Sequence, residues 1–216
     1  MPYELRDEIR EVDTPQGLAR AHLYPADRPA AALVLGHGAG GGVNAPDLVA
    51  AKSAAQSAGL TVALVEQPYR VAGRRSPAPA KLLDAAWVYV IEQLGFEVPL
   101  IAGGRSAGAR VACRTSAEVG AVAVLCLAFP VHPPGKADDP TKSRVDELDA
   151  VEVPTLVVQG ERDPFGMPPD GPRRTVVRVP GNHSLRSTGA VAAAVSEWLA
   201  SGVTGARERS PGQHET

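Results

Sequence analysis

The sequence predicts an α/β domain in which a mostly parallel central sheet carries helices on both faces. Two observations lead to this class. Short apolar runs that suit fully buried strands alternate with longer segments of helical period. The 216 residues suit one domain, and 44% of them are hydrophobic, as in ordinary globular proteins. We assign the domain to residues 1–202 and expect a disordered polar tail over 203–216.

The predicted strands begin with an antiparallel hairpin. Residues 3–12 and 17–24 alternate loosely between polar and apolar, and DTPQG between them is a turn signal. The later strands are continuous apolar runs, as expected where both faces of a sheet are covered. We place them at residues 31–38, 61–69, 98–104, 120–130, 153–163 and 174–181.

Helices are predicted between these strands. In the first helix, Asn44 is a possible cap, Pro46 suits the first turn and Gly59 suits the stop. The second helix has one apolar face, formed by Leu82, Leu83, Ala86, Trp87 and Val90. The helices are placed at residues 44–60, 79–95, 107–119 and 187–202.

Composition argues against several classes of function. The formal net charge of −2 gives no reason to expect nucleic acid or an anionic membrane as a partner. Cys113 and Cys126 lie in apolar runs, so we expect buried thiols rather than a disulfide. The histidines lack ligand spacing, and we expect neither a metal nor a cofactor. The charged N-terminus has no apolar leader segment, which favours a cytoplasmic protein.

Ser106 is the candidate nucleophile. The segment Gly104-Arg105-Ser106-Ala107-Gly108 matches the pattern G-x-S-x-G, which is weak on its own. A predicted strand precedes it and a predicted helix follows, as a nucleophile elbow requires. Both glycines suit a turn in which strand and helix approach closely. The alternative is a plain glycine turn with an exposed serine.

A serine hydroxyl needs a base to remove its proton. His183 follows the last predicted strand, and it has the late loop position that the order Ser, acid, His demands. Asp163 follows the strand before that one, so its carboxylate could orient the imidazole. Glu161 is a neighbouring alternative acid, and Asp138 or Asp139 is a more remote one.

Backbone amides are the candidate donors to an oxyanion. One is the amide of Ala107, directly after the serine. The other is expected in the glycine-rich loop after residues 31–38, where Ala39 is the first choice and Gly40 the second. His37 in the same loop could be structural. The loop lacks the Lys-Ser/Thr or acidic partner that a nucleotide site needs.

These motifs resemble those of a known family. LGHGAGGG, GGRSAGAR, QGERDPFG and GNHSL, in that order, are similar to the motifs of the α/β-hydrolase fold. More narrowly, with FPVHPPGK at 129–136, the chain resembles the dienelactone-hydrolase-related branch that includes testis-expressed protein 30 and the hydrolase-like domain of NSL complex subunit 3. The resemblance spans about residues 30–200. It implies that Ser106 is the nucleophile, Asp163 the acid and His183 the base, although dienelactone hydrolases themselves use cysteine.

The expected function is therefore that of a serine hydrolase. It would cleave a small acyl ester or thioester through an acyl-enzyme. The alternative is a catalytically silent binding module or complex subunit, which would not need to retain all three residues of the triad.

The long irregular segment 131–152 bears on the substrate. It contains three prolines and few apolar residues, so it predicts at most one short helix and no separate cap domain. His132 in this segment and Arg105 beside the serine are candidates for substrate contact. Lys136 and Arg144 lie near the same rim, and ordinary surface charge is the alternative reading of the basic residues.

Overall fold

A computed structural model describes residues 7–203. Its strands, in chain order, are β1 (Glu8–Thr14), β2 (Gly17–Tyr24), β3 (Ala32–Gly36), β4 (Thr61–Glu66), β5 (Leu100–Arg105), β6 (Ala123–Leu127), β7 (Thr155–Gly160) and β8 (Arg174–Val179). They form one eight-stranded sheet in the order β1-β2-β4-β3-β5-β6-β7-β8. β2 is antiparallel to β1 and β4, and all other pairs are parallel. The predicted mostly parallel sheet with an N-terminal hairpin is confirmed.

The strand order reverses at β3, which pairs in parallel with β4 on one side and with β5 on the other. In open α/β sheets, ligands bind beyond the carboxyl ends of the strands at such a reversal. The topology therefore directs attention to the loops that follow β3 and β5.

Helices cover both faces of the sheet. They are α1 (Pro46–Ser57), α2 (Pro68–Val71), α3 (Ala80–Leu94), α4 (Ala107–Thr115), α5 (Val145–Asp149) and α6 (Thr188–Ala200). On one face, Trp87 of α3 and Ala112 of α4 are part of the apolar core. On the other face, Leu48 of α1 and Val195 of α6 form a second core. Because apolar side chains pack on both faces, β3 and β6 are buried along their whole length and β4 is buried up to Val65, as their apolar sequences predicted.

Three local predictions need correction. Asn44 does not cap α1. The capping position is Ala45, because Pro46 holds the residue before it in extended backbone, and Ala45 has no side-chain group that could form a cap hydrogen bond. The strand predicted at 61–69 ends at Glu66, since Pro68 begins the short helix α2. Leu82 is 46% exposed and lies outside the apolar face of α3.

The predicted ends of the domain are only partly described. Residues 3–6 of the first predicted strand, and 204–216 of the predicted tail, lie outside the described residues. Segment 131–152 contains a 3₁₀ turn, Pro140–Lys142, and the single short helix α5. Glu147 of α5 accepts hydrogen bonds from Arg110 and Arg114, which places this helix beside α4. Within residues 7–203, no separate cap domain covers the sheet.

Candidate active site

Ser106 lies at the sharp turn between β5 and α4. Its backbone has φ 52° and ψ −108°, a positive φ that few residues other than glycine adopt. The turn is held because the Ser106 amide donates to the Leu127 carbonyl at 2.9 Å. Backbone conformations of this kind cost about 1–3 kcal/mol and cluster at functional sites. The local structure therefore presents Ser106 as an elbow residue.

Both glycines around Ser106 are required by packing. A Cβ on Gly104 would lie 2.6 Å from the Gly36 carbonyl oxygen, and a Cβ on Gly108 would meet the same oxygen even more closely. The turn thus brings β5 and the start of α4 against the end of β3. This is the close approach of strand and helix that the motif led us to expect.

Two hydrogen bonds connect the three predicted triad residues. Ser106 Oγ lies 2.9 Å from His183 Nε2, and His183 Nδ1 lies 2.8 Å from Asp163 Oδ2. A carboxylate only accepts, so Nδ1 carries the proton and Nε2 is free to accept from the serine hydroxyl. The fold brings together residues that are 77 and 20 positions apart in the chain.

Asp163 is held rigidly in the loop after β7. Its side chain is fully buried. Beyond the bond to His183, it accepts from Gln159 Nε2 at 2.9 Å and from the Phe165 amide at 2.8 Å. These donors orient the carboxylate toward the imidazole.

The alternative acids lie elsewhere. Glu161 and Asp138 are exposed, and Asp139 is half-buried. Asp139 accepts hydrogen bonds from the amide and hydroxyl of Thr141, so its carboxylate serves the 3₁₀ turn. Of the acids considered, Asp163 is the one that contacts His183.

His183 is carried by the irregular loop between β8 and α6. The Phe165 ring packs on the imidazole with their centroids 4.2 Å apart. The loop also lies close against β7, since a Cβ on Gly160 would be 2.5 Å from the Asn182 carbonyl oxygen. Gly160, at the end of β7, therefore leaves room for the loop that carries His183.

His37 is a structural residue of the loop after β3. It is 3% exposed, and its Nδ1 donates to the Gly38 carbonyl at 2.8 Å. Its Nε2 accepts from the Gln67 amide at 3.1 Å. Burial lowers the pKa of His37, which keeps the ring neutral and allows one nitrogen to donate while the other accepts.

The buried His37 predicts acid sensitivity of the fold. The unfolded chain binds a proton at this residue near pH 6.5, whereas the folded chain, with its lowered pKa, does not. The free energy of unfolding should therefore fall as the pH drops below about 6.5, by up to about 1.4 kcal/mol per pH unit from this residue. Denaturant unfolding between pH 7.5 and 5.5 should show a smaller acid-side loss in His37→Gln than in the wild type. Equal losses in the two proteins would contradict the assignment.

The same loop approaches the serine. A Cβ on Gly38 would lie 3.5 Å from Ser106 Cβ, so the next amide, that of Ala39, is close to the elbow. The Ala39 carbonyl accepts from the Tyr69 hydroxyl at 2.8 Å. In a trans peptide, C=O and N–H point in opposite directions, so the bonds to His37 and Tyr69 orient the amides of Ala39 and Gly40.

A comparison with known protein families covers most of this chain. A family model described as an alpha/beta hydrolase domain matches residues 29–190, which include Ser106, Asp163 and His183. The chain belongs to this alpha/beta hydrolase family. A search of curated proteins found no similar sequence.

Solved structures share the fold of this chain at low sequence identity. A serine hydrolase without a lid from Xanthomonas campestris has 19% identity and a TM-score of 0.69, over 91% of this chain and 96% of that one. Est1E from Butyrivibrio proteoclasticus with bound ferulic acid has 16% identity and a TM-score of 0.72, over 89% and 98%. A dienelactone hydrolase from Anabaena variabilis has 18% identity and a TM-score of 0.68, over 91% and 97%.

One feature of the site was missed in the sequence. Arg105 Nε donates to Asp47 Oδ2 at 2.7 Å, and Arg105 Nη2 donates to the His183 carbonyl at 2.8 Å. Asp47 is fully buried in the first turn of α1. Burial raises the pKa of this carboxyl, and Arg105 opposes the rise. In the sequence Asp47 looks like any acidic residue in the first turn of a helix, and only its ion pair with Arg105, 58 residues later, distinguishes it.

The other residues predicted near the substrate do not take part in the hydrogen bonds of Arg105. His132 is buried, and its Nδ1 lies 2.9 Å from the Pro133 carbonyl oxygen. A Cβ on Gly166 would lie 3.1 Å from its ring, so His132 packs near the loop of Asp163. Lys136 is exposed, and Arg144 Nη1 is 3.5 Å from the Pro130 carbonyl oxygen. None of these side chains has a hydrogen bond to Ser106 or His183 in the described part of the chain.

A cavity lies beside the turn that carries Ser106. Its volume is about 620 Å³, and it is bounded by the glycine-rich loop, the start of α1, and the residues Arg105, Ser184 and Arg186.

In residues 7–203, no three acidic, histidine or cysteine side chains lie close enough together to form a metal site. No helix in that range is long and apolar enough to cross a membrane.

Proposed function

We propose that the protein is a serine hydrolase that cleaves a small acyl ester or thioester through an acyl-enzyme. The observation that carries the proposal is the continuous pair of hydrogen bonds from Asp163 through His183 to Ser106. The elbow conformation of Ser106 supports it, because a strained backbone is maintained where it exposes a reactive side chain. The quoted motifs also lead us to place the chain in the dienelactone-hydrolase-related branch described above.

In the first half of the reaction, Ser106 Oγ attacks the acyl carbonyl carbon. As this C–O bond forms, the hydroxyl proton moves to His183 Nε2, and the carbonyl oxygen becomes an oxyanion. Collapse of this tetrahedral intermediate breaks the bond to the leaving group, which takes the proton from His183. The acyl group then remains on Ser106.

The second half removes the acyl group. A water molecule gives its proton to His183 Nε2 as its oxygen attacks the acyl carbon. When the ester bond to Ser106 breaks, the serine oxygen recovers that proton. Asp163 stays ionised throughout and stabilises the imidazolium that forms in each half.

The amides of Ala107 and Ala39 would stabilise the oxyanion, with Gly40 as the second choice for the loop donor. Ala107 is the first residue of α4, where a backbone amide has no acceptor within the helix. The amide of Ala39 follows Gly38, which lies against Ser106. Because His37 and Tyr69 hold the neighbouring carbonyls, these donors would need little reorganisation during the reaction.

A panel of short acyl substrates tests the proposed function. We expect turnover of p-nitrophenyl acetate and of a short acyl-CoA thioester, and covalent labelling by a fluorophosphonate. The Ser106→Ala protein is the blank for each substrate. If the folded wild type shows neither turnover nor labelling, the alternative of a catalytically silent binding module replaces this proposal.

The size of the acyl group is a further prediction. Segment 131–152 has one short helix, which packs beside α4, so we expect this segment to offer little apolar surface to an acyl chain. A deep acyl pocket would contribute about 0.8 kcal/mol for each buried CH₂, or about fourfold in kcat/KM. We expect no such rise across p-nitrophenyl esters from acetate to decanoate, measured below their micelle concentrations. A steady rise with chain length would reveal a hidden pocket and contradict this prediction.

A further inference from the structure

The position of His183 depends on an irregular loop. Its imidazole is held by Asp163 and by the Phe165 ring, but these contacts act on the side chain alone. Proton transfer requires His183 Nε2 to remain within hydrogen-bond reach of Ser106 Oγ, now 2.9 Å away. The loop backbone must therefore be held relative to the nucleophile elbow.

Arg105 supplies a contact of this kind. It is the residue directly before Ser106, and its Nη2 donates to the backbone carbonyl of His183 at 2.8 Å. The same guanidinium group donates through Nε to Asp47 Oδ2 at 2.7 Å. One planar side chain thus connects the nucleophile elbow, the first turn of α1 and the histidine loop.

We propose that Arg105 is a positioning residue, anchored by Asp47, that keeps His183 at hydrogen-bond distance from Ser106. The inference rests on the proposed serine hydrolase function. Arg105 and Ser106 are adjacent in the chain. The hydrogen bond from Arg105 to the His183 carbonyl therefore also fixes the distance between Ser106 and the loop that carries His183. The arginine directly before the serine then acts through the histidine and not on the substrate.

The chemistry of the site favours arginine over lysine. A guanidinium group presents several donors in a fixed fork, so it can bind Asp47 and the His183 carbonyl at once. A lysine ammonium has the same charge but no such fork. Asp47 is fully buried and Arg105 is 17% exposed, so each ion has the other as its partner. Removing the arginine alone would leave a buried charge without its partner.

The test compares Arg105→Lys with the double variant Arg105→Met/Asp47→Asn, which removes the pair without leaving an unpaired charge. We expect the double variant to lower kcat for p-nitrophenyl acetate by up to about 100-fold, as a small misplacement of a catalytic group does. KM should stay within about twofold, since the substrate is not the target of the contact. Arg105→Lys should fall between the wild type and the double variant.

A matched control is available on α4. Arg114 donates to Asp84 through Nε at 2.8 Å and Nη2 at 2.6 Å, and the two side chains are 21% and 22% exposed. The variant Arg114→Met/Asp84→Asn removes an ion pair of similar length that does not touch His183, together with the 3.2 Å contact of Arg114 with Glu147. Its kcat, corrected for the folded fraction, should match that of the wild type.

A second measurement does not depend on turnover. The His183 Nδ1 proton, bonded to Asp163, should give a low-field proton NMR signal that is lost in His183→Gln. We expect this signal to broaden or disappear in the Arg105/Asp47 variant and to persist in the Arg114/Asp84 control.

Three results would overturn the proposal: an unchanged kcat and NMR signal, a raised KM with unchanged kcat, or an equal loss of kcat in the control. A raised KM would mean that Arg105 binds substrate. If the wild type has no activity and Ser106 is not labelled, the proposed function fails. The NMR comparison then still decides whether Arg105 positions His183.

Discussion

Replacing Ser106 with alanine is expected to lower kcat by up to about 10⁶-fold while the fold remains intact. The Ser106 hydroxyl is the group that would form the bond to the acyl carbon. In the described structure, the Ser106 hydroxyl makes a hydrogen bond with His183. Removing this oxygen atom breaks that hydrogen bond but takes little from the packing of the fold. The measurement is kcat on p-nitrophenyl acetate, with circular dichroism to confirm folding.

Ser116→Ala is the matched control for this change. Ser116 is also a serine next to α4, but it is buried at the far end of the helix, where its hydroxyl donates to the Cys113 carbonyl. This variant should keep its activity. Intact-mass analysis should find one fluorophosphonate adduct on the wild type and on Ser116→Ala, and none on Ser106→Ala. An equal adduct on Ser106→Ala would contradict the assignment of the nucleophile.

Replacing Asp163 with asparagine is expected to lower kcat by up to about 10⁴-fold. The amide has nearly the same shape, but its NH₂ group donates where the carboxylate accepted. Turned toward His183, it favours the tautomer with the proton on Nε2, which cannot take the proton of Ser106. Turned away, it faces the Phe165 amide, which is also a donor. Either orientation disturbs the site without opening a cavity.

Glu161→Gln at an exposed position and Asp139→Asn at a half-buried one are controls of the same chemical kind. Both should leave kcat unchanged. The double variant Ser106→Ala/Asp163→Asn should be about as inactive as Ser106→Ala alone, because residues that act as one unit are not additive. If Glu161→Gln or Asp139→Asn abolishes turnover while Asp163→Asn does not, a different acid supports His183.

The alternation of strands and helices could be read directly from the sequence. A strand whose residues are all apolar can be buried only in a sheet that is covered on both faces. This property can be recognised within the sequence of each strand alone. The elbow was visible for a similar reason. Gly104 and Gly108 flank Ser106 within five residues, and the neighbouring strand and helix could be recognised around them.

The sequence reduced the number of candidates for the acid and the base of the triad, but it did not decide between Asp163 and Glu161 as the acid. Chain order placed Asp163 and His183 in loops after strands, but Glu161 occupies the same loop as Asp163. Which carboxylate points inward depends on the twist of β7 and on donors such as Gln159 and the Phe165 amide. These contacts form between segments whose relative positions no short pattern encodes.

The sequence by itself determined the class of fold, the elbow around Ser106 and the order of the chemical groups along the chain, because each depends on neighbouring residues. Only the tertiary structure decided that His37 orients the glycine-rich loop, that Asp47 pairs with Arg105, and that this arginine binds the loop of His183. Asp47 and Arg105 are 58 residues apart, and each alone has the pattern of an ordinary surface charge. Their pairing follows from the packing of α1 and β5, since a buried charge is stable only where the fold supplies its partner.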